Sequence, residues 1–179
     1  MGTSLESFCA DAKAILKADP GADGRAAVAE KLKELLVDRD FVAAYFDADK
    51  GAPQRVVYRD PELGFNVLVH HHKAGREGPP HDHGESWAIY GVAKGCTVMT
   101  EWRRLDDGSK PGHAEIEPER TYRLEVGMTA PYGPGIIHNT HHPDGAWVVR
   151  VTGGDLDTIP RRRFLPEAQE VREIRRAVA

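Results

Sequence analysis

A mainly β chain, a small barrel or sandwich capped by helices, is predicted by three observations. The first 46 residues carry apolar side chains at helical spacing, whereas after Gly51 short β-rich runs alternate with Gly and Pro turns. No composition shift or linker divides the two parts, so the helical start is read as a cap rather than a domain of its own. A His-x-His pair and a distant third His fall inside the β-rich part, on runs that a barrel would bring together.

The elements follow in order. Residues 4–18 place Leu5, Phe8, Ala12, Ile15 and Leu16 on one helical face, with Ser4 as cap and Asp19-Pro20-Gly21 as stop. Residues 25–37 repeat the pattern with Val28, Leu32, Leu35 and Leu36, and a short third helix is expected around 41–46. Strands are expected at 55–59, 65–72, 86–92, 97–103, 122–126, 136–140 and 146–152. Asp106-Asp107-Gly108 signals a hairpin turn. A last helix is expected over 166–179, with Pro166 in its first turn and residues 167–177 as its body. The expected organisation is thus one domain over 1–179: a helical cap (1–50), a β-barrel (52–165) and a C-terminal helix (166–179).

Composition narrows the function classes. With 24 Lys plus Arg against 28 Asp plus Glu, the net charge is −4, which argues against broad nucleic-acid or anionic-membrane binding. Arg161-Arg162-Arg163 with Arg172, Arg175 and Arg176 make the C-terminus locally basic, but without aromatic interleaving they read as a solvated or salt-bridged face. No apolar run approaches membrane-spanning length. The start lacks the basic and apolar regions of a signal peptide and fails the myristoylation pattern at Glu6. Cys9 and Cys96 make neither a disulfide framework nor a C-x-x-C motif, so a reducing cytoplasm is the expected location.

Nine His is a high count, and six of them lie at 70–72, 81, 83 and 138. On a strand, side chains alternate, so His81 and His83 share one face. Joined by His138, they would form a facial set of three imidazoles, which holds a borderline divalent metal and leaves positions open. By the same alternation His70 and His72 share a face and His71 takes the other. His72 is a candidate acid–base or supporting group in that set, against a partly exposed strand end. His141 and His142, just before Pro143, read as exposed loop residues, and His113 as a turn residue. Trp87 shares parity with His83 and either walls the pocket or packs in the core, with Tyr90 on the same strand.

Two motifs carry a family resemblance. Gly78-Pro79-Pro80-His81-Asp82-His83, then Gly95, resembles the first cupin motif, and Gly127 through His138 resembles the second, with Gly133 where its Pro is expected. The resemblance covers roughly residues 52–156. It implies a double-stranded β-helix, or jelly-roll, barrel. The Glu that the first motif offers four or five residues after its second His is replaced by Trp87 and Ala88, and Glu85 comes too early. The ligand set therefore reads as three His without a carboxylate.

Within the cupins, residues 55–66 leading to Pro80-His81-Asp82-His83-Gly84-Glu85-Ser86-Trp87 are similar to cysteine dioxygenases and their bacterial thiol-dioxygenase relatives. The resemblance implies a non-haem Fe(II) dioxygenase that oxidises a small carboxylate-bearing thiol to a sulfinic acid. His81, His83 and His138 would be the iron ligands, and the small-molecule thiol and O2 its partners. Zn, Ni, Cu or Mn would also suit three imidazoles. Arg55, counted without gaps, falls where the animal enzymes pair an Arg with the substrate carboxylate, a task suited to a planar guanidinium; the alternative is a surface Arg on an edge strand. Two departures stand against the match. Ala88 occupies the position of the crosslinking Cys, and Val148, Arg150 and Thr152 replace the family's Ser, His and Tyr. Arg150 shares a face with Val148 and Thr152, so it is a second candidate for the carboxylate, with an exterior salt bridge the alternative. The other functions left open are a cupin metalloenzyme of different chemistry (C–C-cleaving dioxygenase, isomerase or lyase) and a non-catalytic metal-dependent binding protein. Cupins often pair, so a homodimer is an open oligomeric state.

Overall fold

The structure is a computed structural model that describes residues 3–47 and 53–174. Helix α1 spans Leu5–Ala18 and α2 spans Ala22–Leu36. The Ser4 side chain accepts a hydrogen bond from the Ser7 N–H at 3.1 Å, capping α1 as predicted. Asp19 ends α1 and starts α2, because its carboxylate accepts from the N–H groups of Gly21 and Gly24. Arg39–Val42 forms a short helix, α3, and continues as a π-helical turn at Ala43–Asp47.

Eleven strands follow among the described residues. One antiparallel sheet contains β1 (Gln54–Arg59), β2 (Asn66–His72), β9 (Ala146–Thr152), β4 (Ala88–Gly95) and β7 (Thr129–Tyr132), in that order. The other runs β3 (Arg76–Glu77), β8 (Ile137–His142), β5 (Thr97–Arg104), β6 (Ile116–Leu124). The two sheets face one another as a jelly-roll, the mainly β double-stranded β-helix that the sequence predicts.

Alternation sorts each strand of the first sheet between two cores. Val67, Val69, Ile89, Val149 and Val151 point to the helices and pack on Phe8, Leu32 and Leu36. Ala88, Tyr90, Val92 and Val148 point into the barrel and meet Met99 and Leu124 of the second sheet. Gly91 lets α2 lie close, since a Cβ there would come within 2.7 Å of Leu36 Cδ1. No helix among the described residues is long and apolar enough to cross a membrane.

The C-terminal segment departs from expectation. In place of a helix from residue 166, β10 (Arg161–Leu165) and β11 (Glu170–Ile174) form an antiparallel hairpin. A 3₁₀ turn at Pro166–Ala168 and a left-handed Gln169 (φ 52°) reverse the chain between them. The hairpin buries Phe164 against Ala114 and Ile137, and Val171 packs alongside. That burial outweighs the helical propensity of this stretch. The part of the expected helix over 175–179 lies outside the described residues, as does the end of the expected cap over 48–50.

Candidate metal centre

His81 and His83 do not sit in a regular strand. His81 makes isolated antiparallel bridges to His138 and Arg163, and His83 opens a turn in which the Ser86 N–H donates to its carbonyl. The turn needs Gly84, which has φ +58° and whose Cβ would lie 2.1 Å from the Pro160 carbonyl oxygen. His138 comes from β8, directly across the bridge from His81.

The structure brings the three His together. One ring nitrogen from each lies within 4.8 Å of the others, and ring centroids are 4.7–5.3 Å apart. The Nδ1 atoms of His81 and His138 lie 3.0 and 3.1 Å from the carbonyls of Pro79 and Ile136. A donor Nδ1 in each pair leaves Nε2 as the lone-pair nitrogen, the tautomer that a metal takes. Burial pushes His81 down to about 4 and His138 down to about 3, and lowers His83 well below its usual range. All three rings are therefore neutral at physiological pH, the form that ligates. The donor set fits a divalent transition metal. Glu85 is exposed and stands outside the cluster.

Asp82, between the two His, points the other way. It is fully buried, and its carboxylate accepts from the Gly84 N–H (3.1 Å), the Arg162 N–H (2.8 Å) and Arg162 Nε (2.7 Å). The Asp82 N–H donates back to the Arg162 carbonyl at 3.0 Å. The His-x-His segment is thus fastened to β10.

Tyr90 enters from β4. Its hydroxyl lies 3.3 Å from His83 Nε2 and 3.2 Å from His138 Nε2. Tyr132 stacks on the His138 ring, with centroids 4.4 Å apart at 11°. In the strand register Ala88 pairs with Thr152, Tyr90 with Arg150 and Val92 with Val148. Val148, Arg150 and Thr152 therefore face a strand that brings a phenol, two residues from Ala88. Trp87 does not wall this space, because it packs among the helix-facing residues.

Arg55 lies elsewhere. Its guanidinium donates to the Tyr45 carbonyl in the cap, and its neighbour Gln54 takes the inward place. The ungapped count from His81 put Arg55 on the wrong face of β1. Arg150 does point inward, toward a cavity of about 250 Å³ that opens beside His81 and Tyr90. Arg161, from the hairpin, reaches the same space, and both arginines also line an adjoining cavity of about 190 Å³.

His72 lines the cavity at one remove from the metal ligands. Its ring stacks on His142 at 3.8 Å and 6°, and on His70 at 5.4 Å and 9°. His142 is buried, against the expectation of an exposed loop residue: β8 runs on to residue 142, and the alternation that turns His138 inward turns Thr140 and His142 inward too. Arg161, expected with Arg162 and Arg163 on a solvated or salt-bridged face, instead lines this cavity.

No protein-family profile matches the sequence, and no curated protein matches it. Among solved structures it is similar to an uncharacterised Klebsiella pneumoniae protein with a double-stranded β-helix domain (21% identity, TM-score 0.43, covering 64% of this chain and 83% of that one). It is also similar to a cupin superfamily protein from Desulfitobacterium hafniense (12%, 0.46, covering 64% and 88%). A third is oxalate oxidase in complex with the substrate analogue glycolate (20%, 0.43, covering 59% and 53%). These values are too low to carry chemistry across, so the chemistry of the site rests on its own residues.

Proposed function

We propose that this protein is a non-haem Fe(II) dioxygenase of the thiol-dioxygenase-like group of cupins, acting on a small carboxylate-bearing thiol. The observation that carries the reading is a set of three neutral imidazoles without a carboxylate, opening onto an arginine-lined cavity. Bound by His81, His83 and His138, Fe(II) would supply Lewis acidity with positions left for thiolate and O2. Both oxygen atoms end on sulfur, turning the thiol into a sulfinic acid with no outside reductant.

The protein's own groups have separate tasks in this reading. Arg150 and Arg161 hold the substrate carboxylate, a bidentate acceptor suited to guanidinium. Tyr90 holds a proton at its hydroxyl beside the ligand nitrogens, in the neutral form because burial raises its pKa. His72 is neutral as well, pushed down to about 3 by burial and then His142, and serves as a hydrogen-bonding wall.

A second reading is favoured by Val148, Arg150 and Thr152, which leave the family's triad unmade: a cupin metalloenzyme acting on a carbon acid, by C–C cleavage, isomerisation or elimination. One experiment separates the two. The protein is loaded anaerobically with Fe(II), and O2 uptake and products are followed with a panel of small thiols and of catechol- or diketone-like acids. Uptake with a thiol and a sulfinate product is the expected result. Turnover of carbon acids alone transfers the assignment to the second reading, and metal binding without any turnover leaves a non-catalytic binding protein.

A further inference from the structure

The cavity beside the metal ligands is strongly cationic in a chain of net charge −4. Arg76, Arg150, Arg161 and Arg163 line it, and no Asp or Glu is among the described residues that do. The positive charges fall at two ends. Arg150 and Arg161 are the guanidinium groups that act on His81 and His83. Arg76, on β3, is the strand partner of His142 and acts on His142 and His72, while Arg150, between the ends, also acts on His70 and His72.

The second end also holds the stacked ladder of His70, His72 and His142. His70 is 6% exposed and His142 1%, yet His70 Nε2, His72 Nδ1 and His142 Nε2 have no hydrogen-bond partner. At the first end Arg150 Nε and Arg161 Nε are likewise unpaired, although the Arg161 Nη2 lies 3.8 Å from the Asp157 carboxylate. Buried polar atoms are rarely left without partners, so five of them around one cavity point to a polar ligand. Rings stacked face to face do not converge their nitrogens on one point, so the ladder is not a second metal site.

We infer that the cavity takes a small dianion, with one anionic group on Arg150 and Arg161 near the metal ligands and the second on Arg76 and the His70–His72–His142 ladder. The inference deepens the proposed function by fixing the charge of the substrate, and rests on this cavity being the substrate pocket. It does not rest on thiol chemistry.

Its test is a binding measurement. Isothermal titration of the Zn(II)-loaded protein, which is redox-silent, compares succinate and glutarate with butyrate, so failure of the oxidation chemistry leaves the result untouched. At least one dianion should bind about tenfold or more tighter than butyrate, since each added charge-assisted pair is worth a tenfold step or more. Arg76→Gln should bring that preference close to unity, and His72→Phe, which keeps a stacked ring, should reduce it. Equal affinity for mono- and dianions, no binding of either, or an Arg76→Gln variant that keeps the full preference would each overturn the inference.

Discussion

Asp82 holds the His81–His83 segment without joining the three-imidazole cluster. Its carboxylate is buried and takes three hydrogen bonds, two of them from Arg162. Removing it leaves the Gly84 and Arg162 N–H groups without their acceptor. Arg162 is half exposed and can turn to water, so Asp82→Ala should cost about 2–3 kcal/mol, the lower side of a broken buried pair. Chemical denaturation of the metal-free protein measures this, and the variant should also bind metal more weakly, because His81 and His83 lose their fixed spacing. The spacing of His81 and His83 was legible from sequence, but Asp82, the variable position of the motif, was not. Its role depends on a partner 80 residues away. Arg55 shows the opposite failure: a guanidinium at the right count from a motif still lands on the wrong face when the count ignores alternation.

The helices and strands β1, β2, β4 and β9 of the first sheet were legible because burial of one face leaves a period in the sequence. The same period, carried two residues further along β8, would have placed His142 inside. The hairpin of β10 and β11 was not legible. Its residues 166–174 have helical composition, and what holds them extended is tertiary: Phe164 buried beneath Ile137, the Phe164 N–H donating to the Pro80 carbonyl at 2.9 Å, and the Asp82–Arg162 link. Strand β7 is only four residues long and carries Pro131, a residue strands disfavour, so it left little signal. Through the hairpin, Arg161 reaches the cavity from a segment that the sequence motifs do not cover.

At the scale of the whole molecule, the barrel interior carries an unusual load of buried, neutral imidazoles. His72 and His142 are pushed down to about 3 and about 4, burial being the largest cause, and His81 and His138 are lowered similarly. In the unfolded chain these groups titrate near 6.5. Above that pH neither state binds the protons. As pH falls from about 6.5 toward about 4, the unfolded chain takes up protons that the folded chain refuses, so stability falls. The urea midpoint of the metal-free protein should therefore drop between about pH 7 and about pH 5, and His72→Phe should make the drop smaller.

Metal occupancy tests the central claim most directly. After anaerobic incubation with Fe(II) and removal of unbound ion, metal analysis should find one ion per chain in the wild-type protein. His138→Ala and His83→Ala, if still folded by circular dichroism, should retain almost none. Full occupancy in either variant would contradict the three-imidazole centre.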